Sequence, residues 1–266
     1  MNHLLRELAP VSEAAWAQID SEARSRLVPA LAARRLVDFS GPRGWDHSAL
    51  NLGHAMTIDA PPVNGVEAQL REVLPLVELR APFTLTLQAL ENADRGSRAI
   101  DLAGLDHAAR QMALAENIAV LHGYPMASIR GISELSSHEP IAVSDDWTAY
   151  PSSVATATER MRMVGVDGPY GLALGNESWL GVAETIEGGY PLMKHLRDIL
   201  GGPIVWAPGI EGGIVISQRG GDFSLECGQD ISVGYSGHDQ TEVSLYLEQS
   251  FTFWVLEPDA AVALHL

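Results

Sequence analysis

The side chains most able to do chemistry crowd one stretch, RGGDFSLECGQDISVGYSGHD, from Arg219 to Asp239. It holds the only cysteine, Cys227, and sets Ser236, His238 and Asp239 within four positions. Serine, histidine and aspartate are the nucleophile, base and orienting acid of a hydrolase, so acyl transfer is the first chemistry to weigh. The spacing argues against it. Neighbouring side chains on an extended chain point to opposite faces, so Asp239 cannot hold the His238 imidazole from behind. No G-x-S-x-G elbow surrounds Ser236, and a polar turn is the expected reading. Cys227 falls in the apolar phase of the Phe223, Leu225, Cys227 alternation and reads as a small core residue. The nine histidines include no pair at three or four residues on a helix and no H-E-x-x-H, so no metal site is expected. No G-x-x-x-x-G-K loop or helix-opening G-x-G-x-x-G cradles a phosphate. No catalytic residue is assigned, and the chain leans towards a structural or interaction role.

Composition narrows the partners. Hydrophobic residues make up 46% and charged residues 19% of the 266, an ordinary globular balance with ample material for a core. Thirty-four acidic against seventeen basic residues leave a formal charge of −17, which argues against nucleic acid or an anionic membrane as partner. No apolar run approaches the roughly 20 residues of a membrane helix. The start MNHLLRELAPV lacks the charged-then-apolar layout of a leader, and one cysteine excludes an internal disulfide framework and suits a reducing cytoplasm.

The elements around these residues are mixed. Ser12 suits an N-cap for a helix carrying Trp16, Ile19, Ala23, Leu27 and Leu31 at near-helical spacing, which Pro29 should kink or restart. From about Asp46 to Leu87 helical period is missing, Asn64-Gly65 signals a turn, and a ribbon doubling back is expected. Helices are expected over Asp106–His122, stopped at Gly123 in the αL cap position, and over Ser153–Val164. Another is expected over Pro191–Leu200, with proline at N1 and Gly201-Gly202 at its end. Gly168-Pro169-Tyr170-Gly171 reads as a turn into a strand. Further strands are expected at Ile204–Trp206, Ile214–Ser217 and Val243–Leu256. Within the opening stretch, Phe223–Cys227 and Ile231–Tyr235 alternate on either side of a Gly228-Gln229-Asp230 turn.

A resemblance runs through the chain in order. Its residues are Leu8-Ala9-Pro10, Glu13 and Trp16, then Arg34, Val37-Asp38, Gly41-Pro42, Pro75-Leu76-Val77 and Arg80. Pro82-Phe83-Thr84-Leu85, Arg95-Gly96, Gly131-Ile132 and Gly165-Val166-Asp167-Gly168-Pro169-Tyr170 follow. Gly189-Tyr190-Pro191, Arg219-Gly220-Gly221-Asp222-Phe223, Gly228-Gln229-Asp230, Gly234-Tyr235 and Phe251-Thr252-Phe253 complete it. At near-constant spacing over essentially the whole sequence, this set resembles the encapsulins. These are bacterial and archaeal nanocompartment shell proteins, long labelled linocin-type bacteriocins. Each short match is weak; their ordered sum is specific.

The resemblance implies an α+β fold, that of the tailed-phage major capsid proteins of the Hong Kong phage type. It divides the chain into an N-terminal helix and start of a peripheral domain (1–45) and an extension loop (46–72). A peripheral domain with a spine helix (73–134), an axial domain at the five-fold vertex (135–225) and returning peripheral strands (226–266) follow. It implies a non-enzymatic, cytoplasmic, icosahedral shell of about sixty copies. The shell would enclose a cargo enzyme, a dye-decolorizing-type peroxidase or else a ferritin-like protein, and so serve oxidative stress or iron storage. Cargo of this family docks by a C-terminal targeting peptide on the inner wall. Carried over by position, the contacts are Leu27, Leu31, Arg34 and Asp38, with Asp230, Ile231 and Tyr235. The alternative for the same residues is plain core packing around the helix. The segment Glu184-Thr185-Ile186-Glu187-Gly188 before Gly189-Tyr190-Pro191 is implied at a five-fold opening. Glu184 and Glu187 would form its acidic ring and Gly188, Gly189 and Tyr190 its rim; a solvated helix end is the alternative. Some relatives place tryptophan, associated with bound flavin, where Gln88 stands, so flavin is not carried over and no cofactor is expected. A phage-derived capsid protein and, less so, a hydrolase or bacteriocin are the alternative readings.

Overall fold

The computed structural model describes residues 3–144 and 146–265, the Glu187 side chain excepted. Helix α1 (Glu13–Ala30) begins where expected, the Ser12 hydroxyl accepting the Ala15 N–H at 3.1 Å. Ala15, Ile19, Ala23, Leu27 and Ala30 recur every three or four residues and are buried as one stripe. Pro29 lies in the last turn, and α1 ends one residue later; a 3-10 turn at Ala33–Arg35 leads to β1 (Asp38–Ser40). Pro29 offers no N–H to the carbonyl one turn back, and with a single helical residue beyond it nothing is left to bend, so a stop replaces the expected kink or restart.

Strands β2 (Ala49–Ile58) and β3 (Ala68–Pro75) form the ribbon, paired from Ala49 with Pro75 to Ile58 with Ala68. Met56, Ile58, Leu70 and Val73 on it are exposed, since a lone two-stranded ribbon has little core of its own. The extended chain does not stay in the ribbon as far as Leu87. It passes into β4 (Val77–Thr86), and the Thr86 hydroxyl then accepts the Ala89 N–H to cap α2 (Leu87–Asp94), a helix not expected from the sequence. Helix α3 runs over Ala103–Leu121 and stops short of Gly123.

Short pieces follow: β5 (Gly123–Tyr124), β6 (Ile129–Arg130), α4 (Ile132–Leu135) and β7 (Ile141–Ala142). Then come α5 (Tyr150–Met163), β8 (Tyr170–Leu174), a second unforeseen helix α6 (Asn176–Glu184), and the small hairpin β9 (Ile186–Glu187) with β10 (Tyr190–Pro191). Helix α7 (Leu192–Leu200) has Pro191 at the N-cap, one place before the expected N1. Its C-cap is Gly201 at φ 68°, a left-handed position that suits glycine, with its N–H on the Arg197 carbonyl. Strands β11 (Gly201–Trp206), β12 (Gly213–Ser217), β13 (Phe223–Cys227), β14 (Ser232–His238), β15 (Glu242–Val255) and β16 (Ala261–His265) complete the described chain.

Two sheets organise these elements. In the first, β13 and β14 follow one another along one side of β15 and β4 lies along the other, with β1 beside β13; β1 and β13 are parallel and the other pairs antiparallel. The second runs β11-β8-β12-β16-β7. Strand β16 leaves the first sheet and pairs with β12 and β7 of the second. One core joins the α1 stripe to α3, β4, β14 and β15 through Ile19, Leu27, Leu105, Met112 and Leu247. At about 1.5–3 kcal/mol for each fully buried Leu or Ile, this stripe suffices to clamp α1 to the first sheet. A second core packs α5 and α7 on the second sheet and reaches Phe251 and Phe253 of β15. Among the described residues strand β14 pairs only with β15, and on its outer edge the Tyr235 N–H donates to the Leu4 carbonyl at 2.9 Å.

Candidate functional site

Where α1 crosses the start of β14, the two leave a cavity of about 370 Å³. Its α1 wall is Ala23, Leu27 and Val28, continued by Leu31; the facing wall is Asp230, Ile231, Ser232 and Val233, with Leu247 and Leu4 beside them. Helical spacing in one wall and strand alternation in the other deliver apolar side chains to a common space. Ion pairs close both ends. The Arg6 guanidinium grips Asp20 with two bonds, at 3.1 and 2.8 Å, and Arg34 Nη1 donates to Asp230 Oδ1 at 2.7 Å.

Five of the seven residues expected at a docking groove, Leu27, Leu31, Arg34, Asp230 and Ile231, therefore lie together. Two do not. Asp38 turns the other way on β1, its Oδ2 accepting the Gly221 N–H at 2.6 Å, and lines a separate cavity of about 70 Å³. Tyr235 is buried in the core beneath α1 and its hydroxyl bonds His238 Nδ1 at 2.5 Å. Pro29 lies outside this groove and lines a different cavity with Trp206 and Arg110.

Arg34 is tied down more firmly than a peptide contact requires. Its Nε and Nη2 donate to both oxygens of Glu116, at 2.9 and 2.7 Å, and Nη2 also reaches Gln249 Oε1 at 3.1 Å. Glu116 is fully buried. Burial raises its carboxyl above the ordinary range, while the Arg34 guanidinium pulls it back. Burial opposes the charge on Arg34 as well, but the Glu116 hydrogen bond and charge outweigh it and the guanidinium is held above its ordinary value. Glu116 and Gln249 escaped the sequence reading. A signal existed for the first: Glu116 sits in phase with Met112, Ala113 and Val120 on the buried side of α3, where a lone carboxylate demands a partner.

The reactive-looking trio has other duties. Ser236 Oγ donates to the Ser244 carbonyl at 3.1 Å, and His238 Nδ1 faces Tyr235. Asp239 Oδ1 accepts the N–H groups of Thr241 and Glu242 at 2.7 and 2.8 Å, which holds its carboxyl below the usual range. This is a polar turn. Cys227 is buried, and burial, reinforced by Asp230, pushes its thiol up to about 12. Among the described residues no three histidine, cysteine, aspartate or glutamate side chains converge on a metal position, and no helix is long and apolar enough to cross a membrane. Gln88 bonds Asn92 through its amide at 3.2 Å.

The segment expected at an opening is not a loop throughout. Glu184 is the last residue of α6, and Gly188 and Gly189, at φ 56° and 83°, make the tight turn of the β9–β10 hairpin. Glu187 stands in β9, but its side chain lies outside the described residues. Tyr190 is braced on both sides, donating to Asp198 Oδ2 at 3.0 Å with Lys194 Nζ 4.9 Å from its ring centroid.

Comparison with known proteins agrees with this architecture. A family described as "Encapsulating protein for peroxidase" matches residues 1–252. A protein of Rhodospirillum rubrum named "Type 1 encapsulin shell protein" is 45% identical over 270 residues, covering 99% of this chain and 96% of that protein. Among solved structures, a virus-like particle from Pyrococcus furiosus superposes with a TM-score of 0.61 at 18% identity, covering 92% of this chain and 98% of its own. The capsid of Myoviridae phage XM1 gives 0.53 at 10% identity, covering 90% and 92%. The α+β fold is thus that of the tailed-phage major capsid proteins.

Proposed function

The chain belongs to the encapsulin shell-protein family, and on that premise we propose that it assembles with itself into a closed icosahedral shell enclosing a cargo enzyme. It is a shell subunit rather than an enzyme. The cargo, a peroxidase of the dye-decolorizing type or a ferritin-like protein, is held by its C-terminal tail in the groove between α1 and β14. The observation that carries this reading is the groove itself, with five of the seven expected positions on one cavity lined by apolar and charged side chains. The exposed apolar residues of the β2–β3 ribbon support self-assembly, since a neighbouring copy would cover them. About three apolar cargo side chains buried there contribute ~4–9 kcal/mol gross. Ordering a floppy tail takes back several, so retention rests on many tails in one shell.

In this reading the shell is cytoplasmic and built of about sixty copies. Segment 46–72 serves as the extension loop, 135–225 as the axial domain, and the β9–β10 hairpin with Glu184 and Glu187 as the five-fold rim. Light scattering and electron microscopy of the purified protein test the first part: hollow particles are expected, and a stable monomer or dimer at neutral pH refutes it. Ile231→Asp and Leu31→Asp test the second. Each puts an unpaired charge into the groove and should give intact but empty shells. Native cargo at wild-type amounts with either variant rejects the groove.

A further inference from the structure

We infer that the cargo tail binds by adding a strand to the open edge of β14, with the peptide group of Val233 as its anchor and a tail carboxylate beside Arg24. This rests on the groove reading above and specifies how the groove is filled.

The direction of the β14 peptide groups follows from β15. Ser250 donates its N–H to the Gln229 carbonyl and accepts from the Gly228 N–H, both at 2.9 Å. The even-numbered residues of β15 thus turn their peptide groups towards β14, and their partners Ser232 and Gly234, opposite Glu248 and Tyr246, turn theirs back. Val233 and Tyr235 then aim N–H and C=O away from β15, and the ladder is regular between them. Tyr235 already uses that direction, donating to Leu4. No partner among the described residues meets Val233 there, although the residue is only 3% exposed. A buried, unmatched peptide group is costly, and a passing strand would satisfy both its donor and its acceptor.

The surroundings select the strand. Val233 lies opposite Leu247 across the ladder, and both line the cavity together with Ile231, just before β14, and with Leu27 and Leu31. An added strand would direct alternate side chains into this apolar space and the others to water, so the tail must be apolar at every second position. Charge fixes the remaining feature. Arg6 is matched by Asp20, and Arg34 by Glu116 and Asp230, but Arg24 on the groove wall is exposed with no carboxylate partner among the described residues.

The probe is a short acetylated peptide, one aspartate followed by alternating leucine and serine, added to purified cargo-free shells. Saturation should slow hydrogen exchange of the Val233 amide by about tenfold or more while leaving the amides inside the β14–β15 ladder unchanged. Val233→Pro keeps an apolar side chain and the ladder, which does not use this N–H, and should weaken binding about tenfold. Arg24→Glu should weaken it by a similar factor, with recovery when the probe carries lysine in place of aspartate. If Val233→Pro shells fail to form, backbone N-methylation of the probe makes the same test: methylation of one alternate set of positions should abolish binding, and of the other set should not. Failure of the probe to bind wild-type shells, or equal binding by both methylated sets without protection of Val233, overturns strand addition. If Leu31→Asp abolishes binding in that second case, the groove reading survives and only its mode is wrong. If Leu31→Asp has no effect either, the groove itself is wrong.

Discussion

Replacing Arg34 by alanine would leave Glu116 in the core without its cation. Three donated bonds from one guanidinium end on that carboxylate, which is fully buried, and a fourth joins Asp230. Breaking such a pair by removing one partner costs about 3–5 kcal/mol, because the remaining charge has no water to turn to. At about 2–4 °C per kcal/mol for a chain of this size, the melting temperature should fall by roughly 6–20 °C. The loss has a pH signature. Without Arg34, burial and the Asp230 charge act on Glu116 against only the Gln249 hydrogen bond, and its folded pKa rises further above the ordinary 4.5. A carboxyl with a raised folded pKa supports the fold only while protonated, so the variant should lose stability as pH rises through that value. The assay is thermal unfolding of Arg34→Ala and wild type at matched scan rate between pH 5 and 8, with Arg34→Leu combined with Glu116→Leu as the control. The deficit should widen with pH in the single variant and largely close in the double. A deficit below about 1 kcal/mol, or a double variant as impaired as the single, refutes the assignment of Arg34 as a structural clamp. It also bears on cargo: emptied Arg34→Ala shells would report a distorted groove wall as much as a lost contact.

Changing both Glu184 and Glu187 to glutamine should slow entry of small cationic substrates into peroxidase-loaded shells, speed entry of anionic ones and reduce the salt effect; identical rates at low salt exclude an acidic ring. Alkali should weaken the fold through two buried groups. Burial pushes the Tyr150 hydroxyl from 10 up to about 12, with Ser178 opposing it, and the Cys227 thiol from 9 up to about 12. Both are neutral in the fold, so their contribution is intact below the unfolded values and fades as pH rises towards 12, by roughly 1.4 kcal/mol per unit for each. Melting curves from pH 8 to 11 should show this slope, and Tyr150→Phe with Cys227→Ala should flatten it; an unchanged slope assigns the sensitivity elsewhere. Iodoacetamide at pH 8 should leave Cys227 unmodified in native shells and label it in denaturant, as mass spectrometry would read.

What could be read from the residues depended on the range of the interaction. Ser12 before a repeating apolar stripe located α1, and alternation through Phe223–Cys227 located β13, because both signals are local. Helix α2 is eight residues long and follows directly on a strand, so its Leu87, Leu90 and Ala93 offered too few turns to reveal a period. Helix α6 contains Gly181, a poor helix residue, and owes its place to packing: a Cβ there would lie 2.1 Å from the Trp147 ring. That Leu27, Leu31, Arg34, Asp230 and Ile231 share one cavity followed from position along α1 and the approach to β14. Asp38 and Tyr235 lie elsewhere, because their direction depends on which side of the sheet faces α1. Glu116, 82 residues from Arg34, came together with it only through tertiary packing.

Strand β15 also has a mechanical consequence. The ribbon passes through Leu76 directly into β4, and β4 is laddered to β15 continuously from Val77 opposite Phe251 to Thr86 opposite Glu242. Tension that a neighbour applies along the β3 arm of the ribbon therefore enters the subunit at Val77. There it meets a long row of hydrogen bonds together with the core contacts of Val77 and Leu79. On its other side β15 is stitched to β13 and β14, so the load spreads across the sheet instead of peeling one hairpin. Resistance to such a pull is a rate, set by how fast the β4–β15 seam yields, and it is separable from equilibrium stability. Internal pressure or indentation would strain this seam first. Strand β4 already carries Pro82, opposite Tyr246, whose peptide groups turn to β14; a second proline at Ala81, opposite Leu247, would remove a bond of the seam itself and make a brittle shell from subunits that still fold.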